Sequence, residues 1–161
     1  MNDAAMAIES IAPGMINGFC PLPGLATGGQ PDPADLAALA ESGFRAILDT
    51  REPHERRGFD EPAAARQAGL EYINVPIGAA LDDGVFDRVR EVMRDESRRP
   101  LLVHCATGNR VGVALIPYLI LDEGKTPADA IVLAMRMGMR APQFAHLALQ
   151  YVARANTQEK K

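Results

Sequence analysis

The chain is poor in cysteine and in aromatic residues, and basic residues are not in excess. Its 161 residues include two cysteines, no tryptophan and 5% aromatic residues, and the formal net charge is -4. Two cysteines do not make a disulfide framework, so we expect a reducing, cytoplasmic setting. The acidic balance argues against a nucleic-acid partner, because no basic footprint is visible.

Long apolar segments and metal-ligand patterns are also missing. No apolar run approaches the roughly 18 residues of a membrane span, and residues 1–5 are acidic and lack the apolar core of a signal peptide. We therefore expect no membrane partner. The three histidines, His54, His104 and His146, do not have metal-ligand spacing. We predict neither a metal nor another cofactor, and the oligomeric state is not readable.

Strand and helix patterns alternate along the chain. Predicted strands cover residues 44–48, 70–77 and 100–103, and predicted helices cover 32–43, 60–69, 85–93, 110–121, 126–137 and 142–153. This order predicts an α/β fold, a single domain with a mainly parallel central sheet flanked by helices. We expect the domain to span residues 22–153, after an N-terminal extension at 1–21 and before a frayed tail at 154–161.

The most informative segment is VHCATGNRVG, residues 103–112. It places Cys105 at the end of a predicted buried strand and Arg110 at the start of a predicted buried helix. The turn between them points backbone N–H groups into one concavity, where the helix dipole also favours an anion. Such donors stabilise a thiolate, and Arg110 can present two N–H groups to a tetrahedral oxyanion. The segment therefore predicts an anion-binding loop around a nucleophilic cysteine.

The neighbours of Cys105 and Arg110 have expected supporting roles. Four residues between them are predicted to bind the anion through the loop: Ala106, Thr107, Gly108 and Asn109. Gly108 lets the backbone turn tightly, since it has no Cβ, and His104 is expected to shape the loop from behind by hydrogen bonding. Because ligands bind at the carboxyl ends of parallel strands, Arg51, which follows another predicted strand, is a further candidate anion contact.

The segment HCATGNR, residues 104–110, resembles the active loop of cysteine-dependent tyrosine and dual-specificity phosphatases. Over roughly residues 22–150 the chain is similar to a bacterial branch that includes the phosphatase-like domain of beta-lactamase hydrolase-like proteins. The similar segments include TGGQP at 27–31, ILDTR at 47–51 and YINVPI at 72–77. The resemblance implies a phosphatase-like fold, Cys105 as the nucleophile that forms a thiophosphoryl intermediate, and Arg110 as the phosphate-binding arginine.

The chain departs from these relatives at two places. Val111 stands where they usually carry a serine or threonine that helps the cysteine leave. They also carry a general-acid aspartate on a loop after the strand that residues 72–77 resemble. The candidates here are Asp82 and Asp83, although Asp83 is also well placed to cap the helix that follows.

The length of the loop leaves the reaction open. Four residues separate Cys105 from Arg110, whereas the best-known cysteine phosphatases have five, and CATGNR also resembles the loop of rhodanese-type sulfurtransferases. That second resemblance implies a Cys105 persulfide and a sulfur-bearing anionic substrate. We expect a phosphorylated substrate and hydrolysis of a phosphomonoester. Sulfur transfer is the alternative prediction, and a non-catalytic oxyanion-binding module is the third.

Overall fold

The computed structural model describes residues 8–159 and has a five-stranded sheet at its centre. The strands are β1 (Phe19–Leu22), β2 (Leu25–Gly28), β3 (Ala46–Asp49), β4 (Glu71–Asn74) and β5 (Leu101–His104). Their order across the sheet is β1-β2-β5-β3-β4. Only the β1–β2 pair is antiparallel. The predicted α/β domain with a mainly parallel sheet is therefore confirmed.

Helices cover both faces of this sheet. Within the described residues they are α1 (Ile8–Ile11), α2 (Pro33–Glu41), α3 (Glu61–Ala68), α4 (Asp83–Arg94), α5 (Asn109–Leu121), α6 (Pro127–Met137) and α7 (Ala145–Glu159). Side chains alternate between the two faces of each strand, so Leu48 and Val103 pack with α4 to α7. Ile47 and Leu102 pack on the other face with α1 to α3. Burial on both faces explains the continuous apolar strands.

The ends of the domain differ from the predicted boundaries. Three of the four residues of β1 lie inside the predicted extension, and buried apolar side chains precede β1 in the chain: Ile8, Ala12 and Met15. The domain therefore begins before residue 22, because these side chains complete the core on the α1 face. At the other end, residues 154–159 continue α7 rather than fraying. Residues 1–7 and 160–161 of the predicted termini lie outside the described residues.

Helix α5 is the most deeply buried helix of the fold. Its residues from Val111 to Leu119 are buried, and it packs against α4, α6 and α7. Because the surrounding core fixes this helix, the loop that connects β5 to its first turn has a rigid support at both ends. No helix within residues 8–159 combines the length and apolar character that a membrane crossing requires.

Candidate active site

The predicted anion-binding loop connects the central strand β5 to α5. Cys105 directly follows β5, and Arg110 lies in the first turn of α5. Because β5 lies between β2 and β3 and runs parallel to both, the segments after these strands flank the loop. Gln30, after β2, donates its backbone N–H to the Ala106 carbonyl at 3.1 Å. The strand, turn and helix expected around Cys105 are all present.

The loop turns back on the side chain of Cys105. This side chain is 1% exposed, and its Sγ accepts a hydrogen bond of 3.0 Å from the backbone N–H of Gly108. Gly108 has a φ of +96°, and a Cβ built there would lie 2.2 Å from the carbonyl oxygen of Met137. Only glycine fits this position, since any side chain would collide with the end of α6.

Two asparagine side chains form hydrogen bonds between the loop and the segments before β1 and after α6. Asn17 donates from Nδ2 to the Thr107 carbonyl at 2.7 Å, and Asn109 accepts at Oδ1 from the Arg140 backbone N–H at 3.0 Å. Asn17 itself has a left-handed φ of 56°, a conformation that asparagine tolerates better than most residues. Asn17 could not be predicted from the sequence, because it lies in an irregular segment before β1 that carries no recognisable pattern.

Arg110 is held by a carboxylate from the loop after β3. Its NH1 and NH2 donate to the two oxygens of Glu55 at 2.7 and 2.8 Å, and NH1 also reaches the Ile77 carbonyl at 3.2 Å. The hydrogen bond with Glu55 raises the pKa of Arg110 in spite of its burial, and Cys105 acts in the same direction. Conversely, the Arg110 hydrogen bond lowers the pKa of Glu55 to about 2. The guanidinium is therefore fixed beside the thiol-bearing loop.

A second set of contacts connects Glu55 to the back of the loop. Arg51 donates from Nε to Glu55 Oε1 at 3.2 Å and from NH1 to Gln30 Oε1 at 2.8 Å. Gln30 in turn donates from Nε2 to Glu61 Oε2 at 2.9 Å. Arg51 thus lies at the carboxyl ends of the parallel strands, as predicted, and contacts Glu55, which also binds Arg110. Its role as an anion contact stays a prediction.

His104 connects these contacts to the backbone of the anion-binding loop. It is fully buried, with Nε2 2.5 Å from Glu61 Oε1 and Nδ1 3.1 Å from the Cys105 carbonyl oxygen. Both ring nitrogens therefore face oxygen atoms, and the role of His104 in shaping the loop stays a prediction. We call the connected side chains the loop brace, which runs through His104, Glu61, Gln30, Arg51 and Glu55 and joins the Cys105 carbonyl to the Arg110 guanidinium.

The buried end of the loop brace brings together three groups that could ligate a metal ion. Potential ligand atoms of Asp49, Glu61 and His104 lie within 4.8 Å of one another. Arg57, however, donates to Asp49 Oδ2 at 2.7 Å and to Glu61 Oε2 at 3.1 Å. Burial opposes ionisation of Asp49, but His104, Tyr72 and Arg57 together keep its pKa below the usual value. The guanidinium of Arg57 already supplies the cation here, so this donor set does not fit a metal.

The two candidate acids lie at the start of α4 and have different contacts. Asp82 is the N-cap, with an extended backbone and a 3.0 Å hydrogen bond from the Val85 N–H to its Oδ1. The expectation that Asp83 caps this helix is therefore wrong, because the helix begins at Asp83 itself and the cap is the residue before. Asp83 instead pairs with Arg154 of α7 at 2.6 Å on the surface.

The central Cys105 loop, the mainly parallel sheet and the buried helix after the loop are the features of the tyrosine and dual-specificity phosphatase superfamily. Residues 24–146 match the family described as DSP-PTPase phosphatase fused to NAD+ kinase, and the chain belongs to this family. The expected membership of the phosphatase superfamily is thus confirmed.

Individual proteins support this membership. A beta-lactamase hydrolase-like protein of Xylella fastidiosa is 32% identical over 114 residues, which are 66% of this chain and 26% of that protein. The chain therefore spans about a quarter of the length of this curated relative. A DUF442 protein of Shewanella putrefaciens CN-32 has the same fold, with a TM-score of 0.75, 17% identity and coverage of 91% and 97% of the two chains. P. aeruginosa TpbA, solved as a cysteine-to-serine variant in complex with pTyr, also has this fold, with a TM-score of 0.66 and 23% identity. The match covers 85% of this chain and 83% of the TpbA chain.

Proposed function

We propose that this phosphatase-like protein hydrolyses a phosphomonoester through a covalent intermediate on Cys105. The observation that carries the proposal is the Sγ of Cys105, which accepts the Gly108 N–H inside a loop whose other end is the fixed guanidinium of Arg110. A cysteine sulfur held at the base of an anion-binding loop is well placed to act as a nucleophile on a bound oxyanion. The pTyr bound to TpbA is consistent with an anionic phosphate substrate for this chain.

In the proposed first step the Cys105 thiolate attacks phosphorus, so an S–P bond forms and the P–O bond to the organic group breaks. The departing oxygen takes a proton from a general acid. In the second step water attacks phosphorus and gives a proton to the carboxylate that the general acid has become, the S–P bond breaks, and inorganic phosphate and the thiolate are released. Arg110 and the backbone N–H groups from Ala106 to Arg110 would stabilise the charge on the non-bridging oxygens in both steps.

We assign the general acid to Asp82 rather than Asp83. Asp82 uses Oδ1 for the helix cap, which leaves Oδ2 for a substrate, and it follows Leu81, which lines a cavity next to Arg110. Asp83 has both oxygens engaged with Arg154. Val111 is buried in the core, so the hydroxyl that assists the second step in relatives has no counterpart at this position.

Turnover of an aryl phosphate tests the proposal. We expect Cys105→Ser to abolish turnover, because a serine hydroxyl is a far weaker nucleophile at neutral pH. Cys20→Ser is the matched control, since Cys20 is the other, half-buried cysteine, and we expect it to retain wild-type activity. Thermal stabilisation by phosphate would report binding separately from turnover.

Two results contradict the proposal in different ways. A protein that does not hydrolyse aryl phosphates but transfers sulfane sulfur from thiosulfate to cyanide, with loss in Cys105→Ser, is a sulfurtransferase. A protein with neither activity that phosphate still stabilises, with loss of that effect in Arg110→Ala, is an oxyanion-binding module.

A further inference from the structure

A cavity of about 230 Å³ adjoins the anion-binding loop. Arg110 and Asn109 contribute to its lining, so it begins where the phosphoryl group would end. The larger apolar side chains of its walls are Ile77, Leu81, Val113, Phe144 and Leu147. They come from the segment after β4, from α5, from the 3-10 turn Pro142–Phe144 and from the first turn of α7.

Two of these side chains are exposed although they are large and apolar. Phe144 is 46% exposed and Leu147 is 39% exposed. Exposed apolar side chains that line a concave site next to polar groups are typical of ligand binding, since a ligand would remove them from water. The core gives no other reason for their position, because neither side chain belongs to the buried clusters.

The charges around the cavity restrict what can occupy it. Among the described residues, Arg110 is the one charged residue of the lining, and Glu55 already balances it. Behind the wall, the carboxylate of Glu52 lies so close to Gly78 that a Cβ there would be 2.2 Å from Oε1. A second anionic group on the ligand would find no further cation in the described lining and would approach Glu52.

We propose that this cavity binds the organic group of a singly phosphorylated substrate, and that this group is compact, apolar and uncharged. The assignment rests on the proposed function, because the phosphoryl group is taken to occupy the loop from Cys105 to Arg110. An apolar cavity of about 150 Å³ is large enough for benzene. The cavity here therefore holds one ring with a short alkyl substituent, and Phe144 and Leu147 determine specificity.

Two pairs of compounds test the assignment. The 4-ethylphenyl and 4-(carboxymethyl)phenyl groups have similar size, and their phenols have similar acidity because a methylene separates the carboxylate from the ring. Their phosphonates report binding by calorimetry, and their phosphates report kcat/KM. We expect the ethyl compound of each pair to be favoured at least about tenfold, the range that a single group contributes in an apolar site.

Leu147→Lys provides the decisive variant. It places a cation on the wall at an exposed position, so we expect the preference for the ethyl compounds to fall by about tenfold or more. Val132→Lys is the matched control, because Val132 is 55% exposed on α6 and is not part of the lining. We expect it to leave the preference unchanged.

The outcomes separate this assignment from the proposed function. Equal binding of the two phosphonates, or a preference that Leu147→Lys does not change, overturns the assignment even if both phosphates are hydrolysed. A strong preference among the phosphonates that Leu147→Lys removes supports the cavity as the site of the organic group. If neither phosphate is then hydrolysed, hydrolysis is wrong and the binding assignment stands.

Discussion

The charge of Glu55 is expected to stabilise the folded protein through Arg110, and Glu55→Gln tests this. The substitution preserves the shape of the side chain and removes its charge. In the folded state both oxygens of Glu55 accept from the guanidinium, and Oε2 also accepts the Glu52 backbone N–H at 2.6 Å. These donors favour the carboxylate form, so the folded protein binds the proton of Glu55 more weakly than the unfolded chain does.

The size of this effect follows from the pKa of Glu55, which folding lowers from 4.5 to about 2, chiefly through the Arg110 hydrogen bond. Since one pKa unit corresponds to about 1.36 kcal/mol, the stabilisation is at most about 3 kcal/mol. The Glu55 side chain is still 21% exposed, and solvent screens the pair. We therefore expect Glu55→Gln to lower the free energy of unfolding at pH 7 by about 1–2 kcal/mol.

The pH dependence distinguishes this charge effect from a general loss of packing. A lowered folded pKa gives stability that is complete above pH 4.5 and is lost as the pH falls towards 2. Urea unfolding of wild type and Glu55→Gln should therefore show a difference at pH 3 that is less than half of the difference at pH 7. Glu41→Gln is the control, since Glu41 is exposed at the end of α2. An equal difference in unfolding free energy between wild type and Glu55→Gln at pH 3 and at pH 7 would refute the reasoning.

Two further substitutions test the loop and the proposed acid. Gly108→Ala should lower the free energy of urea unfolding more than Gly124→Ala does. Both positions have a positive φ, which costs alanine about 1–2 kcal/mol. A Cβ at Gly108 would also collide with a carbonyl oxygen, whereas among the described residues no atom lies within 4 Å of a Cβ at Gly124. Equal losses would contradict the close approach to Met137. Asp82→Asn should retain the helix cap but lower kcat for poor leaving groups and remove the basic limb of the pH–rate profile. Asp83→Asn should leave both kcat and the pH–rate profile unchanged. An unchanged profile in Asp82→Asn would leave Asp82 as a cap alone.

Features that depend on neighbouring residues could be predicted from the sequence. Asp32, Asp60 and Thr126 begin helices as expected, because each side chain accepts the N–H of a residue three positions later. The Cys105 loop is local in the same sense, since an apolar strand, a glycine and a helix start are contiguous. The one-residue error at Asp83 arose because two adjacent aspartates have equal capping ability and only the backbone conformation selects between them.

Strands β1 and β2 could not be predicted in this way. Pro21 in β1 argues against a strand. Proline is compatible with β1 because β1 is an edge strand. β2 is stabilised by β5, where Leu25 is paired with Leu101, a partner far along the chain that no local pattern reveals.

The partners of the site residues depend on the fold in the same way. Glu55 lies in a charged stretch that looks like a solvated loop, and Gln30 belongs to a different segment. Their roles follow from the sheet order, which places the ends of β2 and β3 on either side of β5. The sequence predicted Cys105 and Arg110 as the reactive and anion-binding residues, but it did not identify most of the loop brace that surrounds them.

The position of the guanidinium bears on the reaction more directly than the number of residues in the loop. Arg110 is directed by Glu55 and by the Ile77 carbonyl, which follow β3 and β4, so its placement is set by the sheet edge as well as by its distance from Cys105 in sequence. At that same place the apolar cavity begins. A small sulfur anion such as thiosulfate would leave the cavity empty and the exposed Phe144 and Leu147 uncovered, whereas the organic group of a phosphomonoester would cover both. The cavity therefore favours a substrate with an apolar organic group over a small sulfur anion, on physical grounds that the loop alone does not provide.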